Sequence, residues 1–275
     1  MTSNGTPRDS VGALWRYPVK SMQGEPILAT HVTGRGLAGD RNYALVDKAT
    51  NRTAVVRTWA AALFTYQARY DTEPAPDAAP PPVRITGPGG ETVTSSQPDA
   101  EAHLSAAFGR TLSLMTQAPA GLMVEFPAGT LGGTLAQVTE LPLAGAAPAG
   151  TFFDLACVHL VATSTMAHLG IDVRRLRPNI VVKTDAPPFV ENTWVGRRLA
   201  IGDAMVLKIS LPTPRCVNMT MAQAGLPREG GLLKAVARQN SQDLGEFGRL
   251  PCLGAYADVI QPGHIGVGDM LRWLD

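Results

Sequence analysis

The sequence is poor in the residues on which several large protein classes depend. Its three cysteines, at positions 157, 216 and 252, cannot all pair with one another, and none belongs to a Cys-x-x-Cys pair. This argues against a disulfide framework, a structural zinc site and an iron–sulfur cluster. Charge is sparse and balanced: 24 Lys and Arg against 23 Asp and Glu leave a net charge of +1, which gives no reason to expect nucleic acid or an anionic membrane surface as partner. The five histidines (31, 103, 159, 168, 264) are scattered without ligand spacing. No apolar run approaches membrane-spanning length, and the polar residues 1–10 lack the apolar core of a signal peptide, so a cytoplasmic location is expected. There is no Gly-x-x-x-x-Gly-Lys loop and no Gly-x-Gly-x-x-Gly after a strand, which leaves nucleotide binding of the usual kinds unsupported.

What the sequence does contain is a hydrophobic fraction of 45% over 275 residues, enough for one large domain or two modest ones. The first half is predicted to be mostly β. Short alternating runs at 13–17, 26–32, 41–47, 53–56, 64–70 and 83–93 are separated by Gly- and Pro-rich turns, and a small helix at 99–108 stops at Gly109. Residues 119–150, dominated by Pro, Gly and Ala, read as a crossover. The second half is mixed. It has an apolar run at 152–161, a short helix ending near Gly170, strands within 194–211, the best helical pattern at 229–239, and closing strands from 252 onward. The expected division is a flexible leader at 1–11, a barrel-like β domain at 12–118, the crossover, and a second domain at 151–275. The expected class is mainly β with α/β elements and a few flanking helices.

Several polar groups stand out against this background. Pro212-Thr213-Pro214-Arg215-Cys216-Val217-Asn218 places a cysteine directly after an arginine at the end of a predicted strand. A fixed positive charge favours the thiolate, which can attack, carry sulfur or bind a soft metal. A buried structural cysteine fits the same pattern equally well. Asp154 interrupts an apolar run and is costly to bury unless it is paired or functional. Arg177 and Asn179 flank Pro178 and offer a bidentate fork and an amide. Lys20, Ser21 and Arg41 sit beside turns, where such groups suit a phosphate or are simply solvated.

Taken in order, Tyr17-Pro18-Val19-Lys20-Ser21, Gly39-Asp40-Arg41, Arg177-Pro178-Asn179-Ile180-Val181, Arg215-Cys216, Gly254-Ala255-Tyr256 and Gly266-Val267-Gly268-Asp269 resemble one family from about residue 12 to the end. The chain is similar to MOSC-domain proteins with a MOSC N-terminal β-barrel, the group that includes the mitochondrial amidoxime reducing component and its bacterial relatives. The resemblance implies an N-terminal β-barrel-like domain, a C-terminal MOSC β-barrel domain and a molybdenum cofactor (molybdenum on a molybdopterin dithiolene) with Cys216 as a protein ligand. It further implies that Lys20, Ser21 and Arg41 bind the phosphate and pterin end, that Arg177 and Asn179 hold the cofactor near the metal, and that Arg215 belongs to the same cofactor-binding set. Tyr256 would line the same region, and Asp154 would stand beside the metal as a proton donor or water-orienting group.

The implied reaction reduces amidoximes, hydroxylamines or hydroxamic acids, taking two electrons from a separate donor protein of the ferredoxin or flavoprotein kind. The alternatives are a persulfide carrier using Cys216, or a carrier of the molybdenum cofactor. The sequence departs from the family pattern at Ala156, where a hydroxyl residue is common, and at Met219-Thr220-Met221-Ala222-Gln223 after the cysteine. Both departures fall on the expected rim of the pocket.

Overall fold

The computed structural model describes residues 9–56, 61–76, 78–118, 122–127, 138–142, 148 and 150–274. Residues 1–8 of the expected leader and most of the expected crossover lie outside these. The described chain is mainly β, with a barrel-like N-terminal part and a C-terminal part built on one large sheet. The sheets follow open paths, and no closed barrel forms among the described residues.

The large sheet runs in the order Glu25–Ile27, Ser10–Arg16, Ile180–Lys183, Val158–Ala162, Arg249–Gln261, Met205–Pro214, Arg198–Ile201, Leu271–Trp273, with Ser241–Asp243 branching from Arg249–Gln261. Its middle strands explain the apolar runs. All five residues of Val158–Ala162 are buried, as are Ile180, Val181 and Val182, because these strands are covered on both faces. The two strands are parallel, and the helices Thr163–Leu169 and Val173–Leu176 connect them. Ser10–Arg16 lies antiparallel along the outer side of Ile180–Lys183, so the first strand of the N-terminal half belongs to the C-terminal sheet. Val11 and Leu14 join the same core as Leu160, Ile180, Trp194, Leu207 and Ala257.

A second core gathers Val19, Met22, Tyr43, Leu45, Leu63, Phe64, Ile85 and Leu104. Around it stand the hairpins Gln67–Tyr70/Val83–Thr86/Thr92–Thr94 and the sheet holding Leu112–Met115, Ala44–Asp47 and Arg52–Thr53. Within the stretch expected as a crossover, Met123–Pro127 and Val138–Pro142 pair antiparallel and extend this sheet. A further small sheet joins Ala29–Thr33 to Gly263–Gly266 and Gly36–Leu37. Among the described residues no helix is long and apolar enough to cross a membrane.

Candidate functional site

The strand Met205–Pro214 follows Arg249–Gln261 through three register shifts, the last between Pro212 and Pro214. Arg215 adds one more bond, from its amide to the Pro251 carbonyl at 2.7 Å. The chain then leaves the sheet: Cys216 is extended (φ −122°, ψ −178°) and precedes the 3-10 turn Val217–Thr220. This geometry puts the Cys216 side chain, half-buried, on the wall of a cavity at the end of the sheet. The other two cysteines are core groups. Burial pushes the thiols of Cys157 and Cys252 up to about 11.

The opposite wall comes from the N-terminal half and is organised by Asp40. This buried carboxylate accepts from the Tyr17 amide at 2.7 Å and the Asn179 side chain at 2.8 Å, and pairs with the Arg41 guanidinium at 2.5 Å. Ser21 (φ 68°), Arg41 (φ 49°) and Arg177 (φ 56°) all line the cavity in the left-handed region. Such backbone is costly for residues with a Cβ and persists where surrounding contacts hold it. Here the contacts are visible. The Arg41 and Arg177 guanidinium groups each lie 4.3 Å from the centroid of the buried Tyr17 ring, and Arg177 also donates to the Met22 carbonyl.

The electrostatics of the cavity are strongly one-sided. Among the described residues its lining includes Lys20, Arg41, Arg175, Arg177 and Arg215 but only one carboxylate, Asp154. The Lys20 ammonium, itself buried, bonds the Phe152 carbonyl at 2.9 Å and Asp154 at 2.5 Å, while the Asp154 side chain keeps 48% of its surface exposed. Burial, reinforced by the neighbouring Arg41 charge, lowers Arg177 to about 10. Burial raises the Tyr256 phenol to about 12; Arg215 opposes that shift, and Asp154 and Cys216 add to it. The His159 ring packs 5.4 Å from Tyr256 and is held well below the usual imidazole range, first by burial and then by Arg215.

All nine residues singled out from the sequence line this cavity: Lys20, Ser21, Arg41, Asp154, Arg177, Asn179, Arg215, Cys216 and Tyr256. Their partners qualify what each can do. The Asn179 side chain is engaged by Asp40 and by the His159 amide at 3.1 Å, which makes it a brace between the two halves. Arg215, expected to favour the Cys216 thiolate, directs one nitrogen to the Leu176 carbonyl at 3.1 Å. Sequence reasoning passed over His159, Arg175 and Asp40. Arg175 is buried and donates to the carbonyls of Met219 and Met221, clamping the segment that follows Cys216. Asp40 lies inside the quoted Gly39-Asp40-Arg41 motif, so its signal was present without its role.

The donor set can be tested against the group that the resemblance implies. Among the described residues no three His, Cys, Asp or Glu side chains gather into a metal site. A bare ion would therefore find Cys216 and too few further ligands, whereas a metal that brings its own chelate needs only one protein sulfur. The cavity, about 160 Å³, exceeds what an ion and its waters require. Its basic lining suits an anionic, phosphate-bearing chelate. Polar atoms buried without a partner include Arg215 Nε and Asn218 Oδ1 on cavity-lining residues, together with the nearby Tyr17 hydroxyl. Such atoms are rare in folded proteins unless something else satisfies them. The residues present fit the group.

Fold and cavity together define a two-part β protein in which a single accessible cysteine faces a basic wall contributed by both halves. Family comparison gives that class its name: the MOSC N-terminal beta barrel domain matches residues 9–117 and the MOSC domain matches residues 157–272, and the chain belongs to the MOSC-domain proteins. This family is associated with molybdenum-cofactor binding. No curated protein matches the sequence. Among solved structures, the YUAD protein from Bacillus subtilis is 11% identical, with 97% of this chain and 96% of that chain covered and a TM-score of 0.39. YiiM from Geobacillus stearothermophilus is 16% identical with a TM-score of 0.33; the match covers 44% of this chain and spans 55% of that protein's length. Neither likeness is close enough to carry an argument.

Proposed function

We propose that this protein is a molybdenum-cofactor-dependent oxidoreductase that reduces N-hydroxylated compounds, such as amidoximes, hydroxylamines and hydroxamic acids. The observation that carries the reading is the cavity itself, where Cys216, the one cysteine not buried in a core, faces basic side chains from both halves of the chain. Cys216 would ligate the metal. Lys20, Ser21 and Arg41 would hold the phosphate and pterin end, with Arg177 and Arg215 balancing the remaining negative charge. When bound, the cofactor supplies the two-electron chemistry that cleaves the N–O bond.

The chain's own groups handle orientation and protons. Asp154, half in solvent and paired with Lys20, can relay protons from solvent to the departing substrate oxygen, which leaves as water once two protons and two electrons have been delivered. Tyr256, whose phenol stays protonated up to about pH 12, offers a hydrogen-bond donor on the same wall. Leu155 and Ala156, next to Asp154 on the cavity lining, give the rim an apolar edge for the substrate's organic part. Electrons would come from a donor protein of the ferredoxin or flavoprotein kind.

The test is molybdenum and pterin content of protein purified from a cofactor-producing host, followed by turnover of an amidoxime with reduced viologen as donor. Stoichiometric molybdenum that is lost in Cys216→Ser, pterin that is depleted in Arg41→Ala, and turnover by the wild type are the expected results. A metal-free protein carrying cyanide-releasable sulfur on Cys216 would instead identify a persulfide carrier. Bound cofactor without turnover would identify a cofactor carrier.

A further inference from the structure

Away from the cavity, two of the five histidines stand side by side. His31 lies on Ala29–Thr33 and His264 on Gly263–Gly266, and the antiparallel register sets them directly opposite one another. Strand alternation turns both rings outward: Thr30, Val32 and Ile265 are buried, while His31 and His264 are exposed. The ring centroids are 5.0 Å apart, and the ring planes meet at 74°.

We propose that His31 and His264 form a two-point binding site for a borderline divalent transition cation, Cu²⁺, Ni²⁺ or Zn²⁺, clipping the two strands together. Imidazole nitrogens bind such ions at about 2.0–2.1 Å, and two rings at neighbouring positions of a square or tetrahedral site have centroids roughly 4.5–5.2 Å apart. The observed separation falls inside that interval, so the ion needs side-chain rotation at most and no shift of backbone. The ladder between the strands fixes the spacing before any metal arrives, which lowers the ordering cost of binding. The site is open to solvent, beside a groove lined by Val32, Thr33, Pro76 and Pro262. Among the described residues no third His, Cys, Asp or Glu completes a cluster there, and the remaining coordination positions can be taken by water or by an external chelator.

The test uses Cu²⁺–iminodiacetate, whose chelator leaves positions free for two imidazoles, titrated into the full chain and followed by electron paramagnetic resonance. One equivalent bound with two imidazole nitrogens is expected. Binding should weaken by at least about tenfold in His31→Ala and in His264→Ala alike, because each leaves one-point attachment. His103→Ala and His168→Ala, which remove the other exposed imidazoles, should bind as the wild type does. Absence of binding by the wild type, or unchanged affinity in either His31→Ala or His264→Ala, overturns the proposal.

Discussion

Asp40 shows how one carboxylate can set a site that it does not itself line. It holds the Tyr17 amide, the Arg41 guanidinium and the Asn179 amide at once, and so keeps two arginines beside a single aromatic ring. His159, joined to Asp40 through the Asn179 side chain, carries the clearest pH signature. Burial and Arg215 keep this imidazole neutral in the folded chain, whereas in the unfolded chain it titrates near 6.5. Above that pH neither state binds the proton, and stability is complete. As the pH falls below 6.5 only the unfolded chain takes it up, and stability drops by up to about 1.4 kcal/mol per unit. His159→Asn should therefore flatten the decline between pH 6.5 and about 5 in urea-unfolding measurements, whatever its effect on absolute stability; equal slopes would show that His159 is not buried neutral. Glu25 and Glu191, raised by burial, titrate in both proteins and cancel in the comparison. The residues that belong to short motifs, such as Lys20, Arg41, Arg177 and Cys216, were legible before the structure because their signal is local. The Asp40–Asn179 bond joins positions 139 apart, and no window of sequence contains it.

At the scale of elements, punctuation was readable and backbone type was not always so. Gly109 and Gly170 end their helices in the left-handed conformation, as glycines after an apolar helical pattern should. The stretch 64–70, read as one strand, begins instead within the 3-10 turn Ala61–Thr65, and the strand spans only Gln67–Tyr70. The reason is that Leu63 and Phe64 are both buried; consecutive strand residues point to opposite faces, while a tight turn lets both enter one core. A different constraint acts in the middle of Arg249–Gln261. Gly254 has φ +87°, and a Cβ there would lie 2.4 Å from His159 Nε2 and 2.6 Å from the Leu160 carbonyl oxygen. Gly254→Ala combines backbone strain with a clash against a fixed neighbouring strand, so a loss of about 2–4 kcal/mol is expected in denaturant unfolding. A loss below about 1 kcal/mol would mean that the two strands are free to separate locally.

At the scale of the whole molecule, the two matched domains are not separable in structure. The class of fold could be read from alternation and turn spacing, but the exchange of Ser10–Arg16 into the C-terminal sheet could not, since strand order depends on contacts across the chain. A fragment of residues 151–275 would lose the cover over Ile180 and Val182 and present Ile180–Lys183 as a bare sheet edge. It should show no cooperative thermal transition by circular dichroism, whereas the full chain should. A sharp melt of the fragment alone would contradict the shared core.

The same exchange bears on synthesis. Trp15 and Asn179 bond to each other across 164 intervening steps of chain. At ribosomal speeds of about 5–20 residues per second, the leading strand waits on the order of ten seconds or more for its mate to be translated. During that interval neither wall of the cavity is complete, so whatever the cavity receives must arrive after most of the polypeptide has been made.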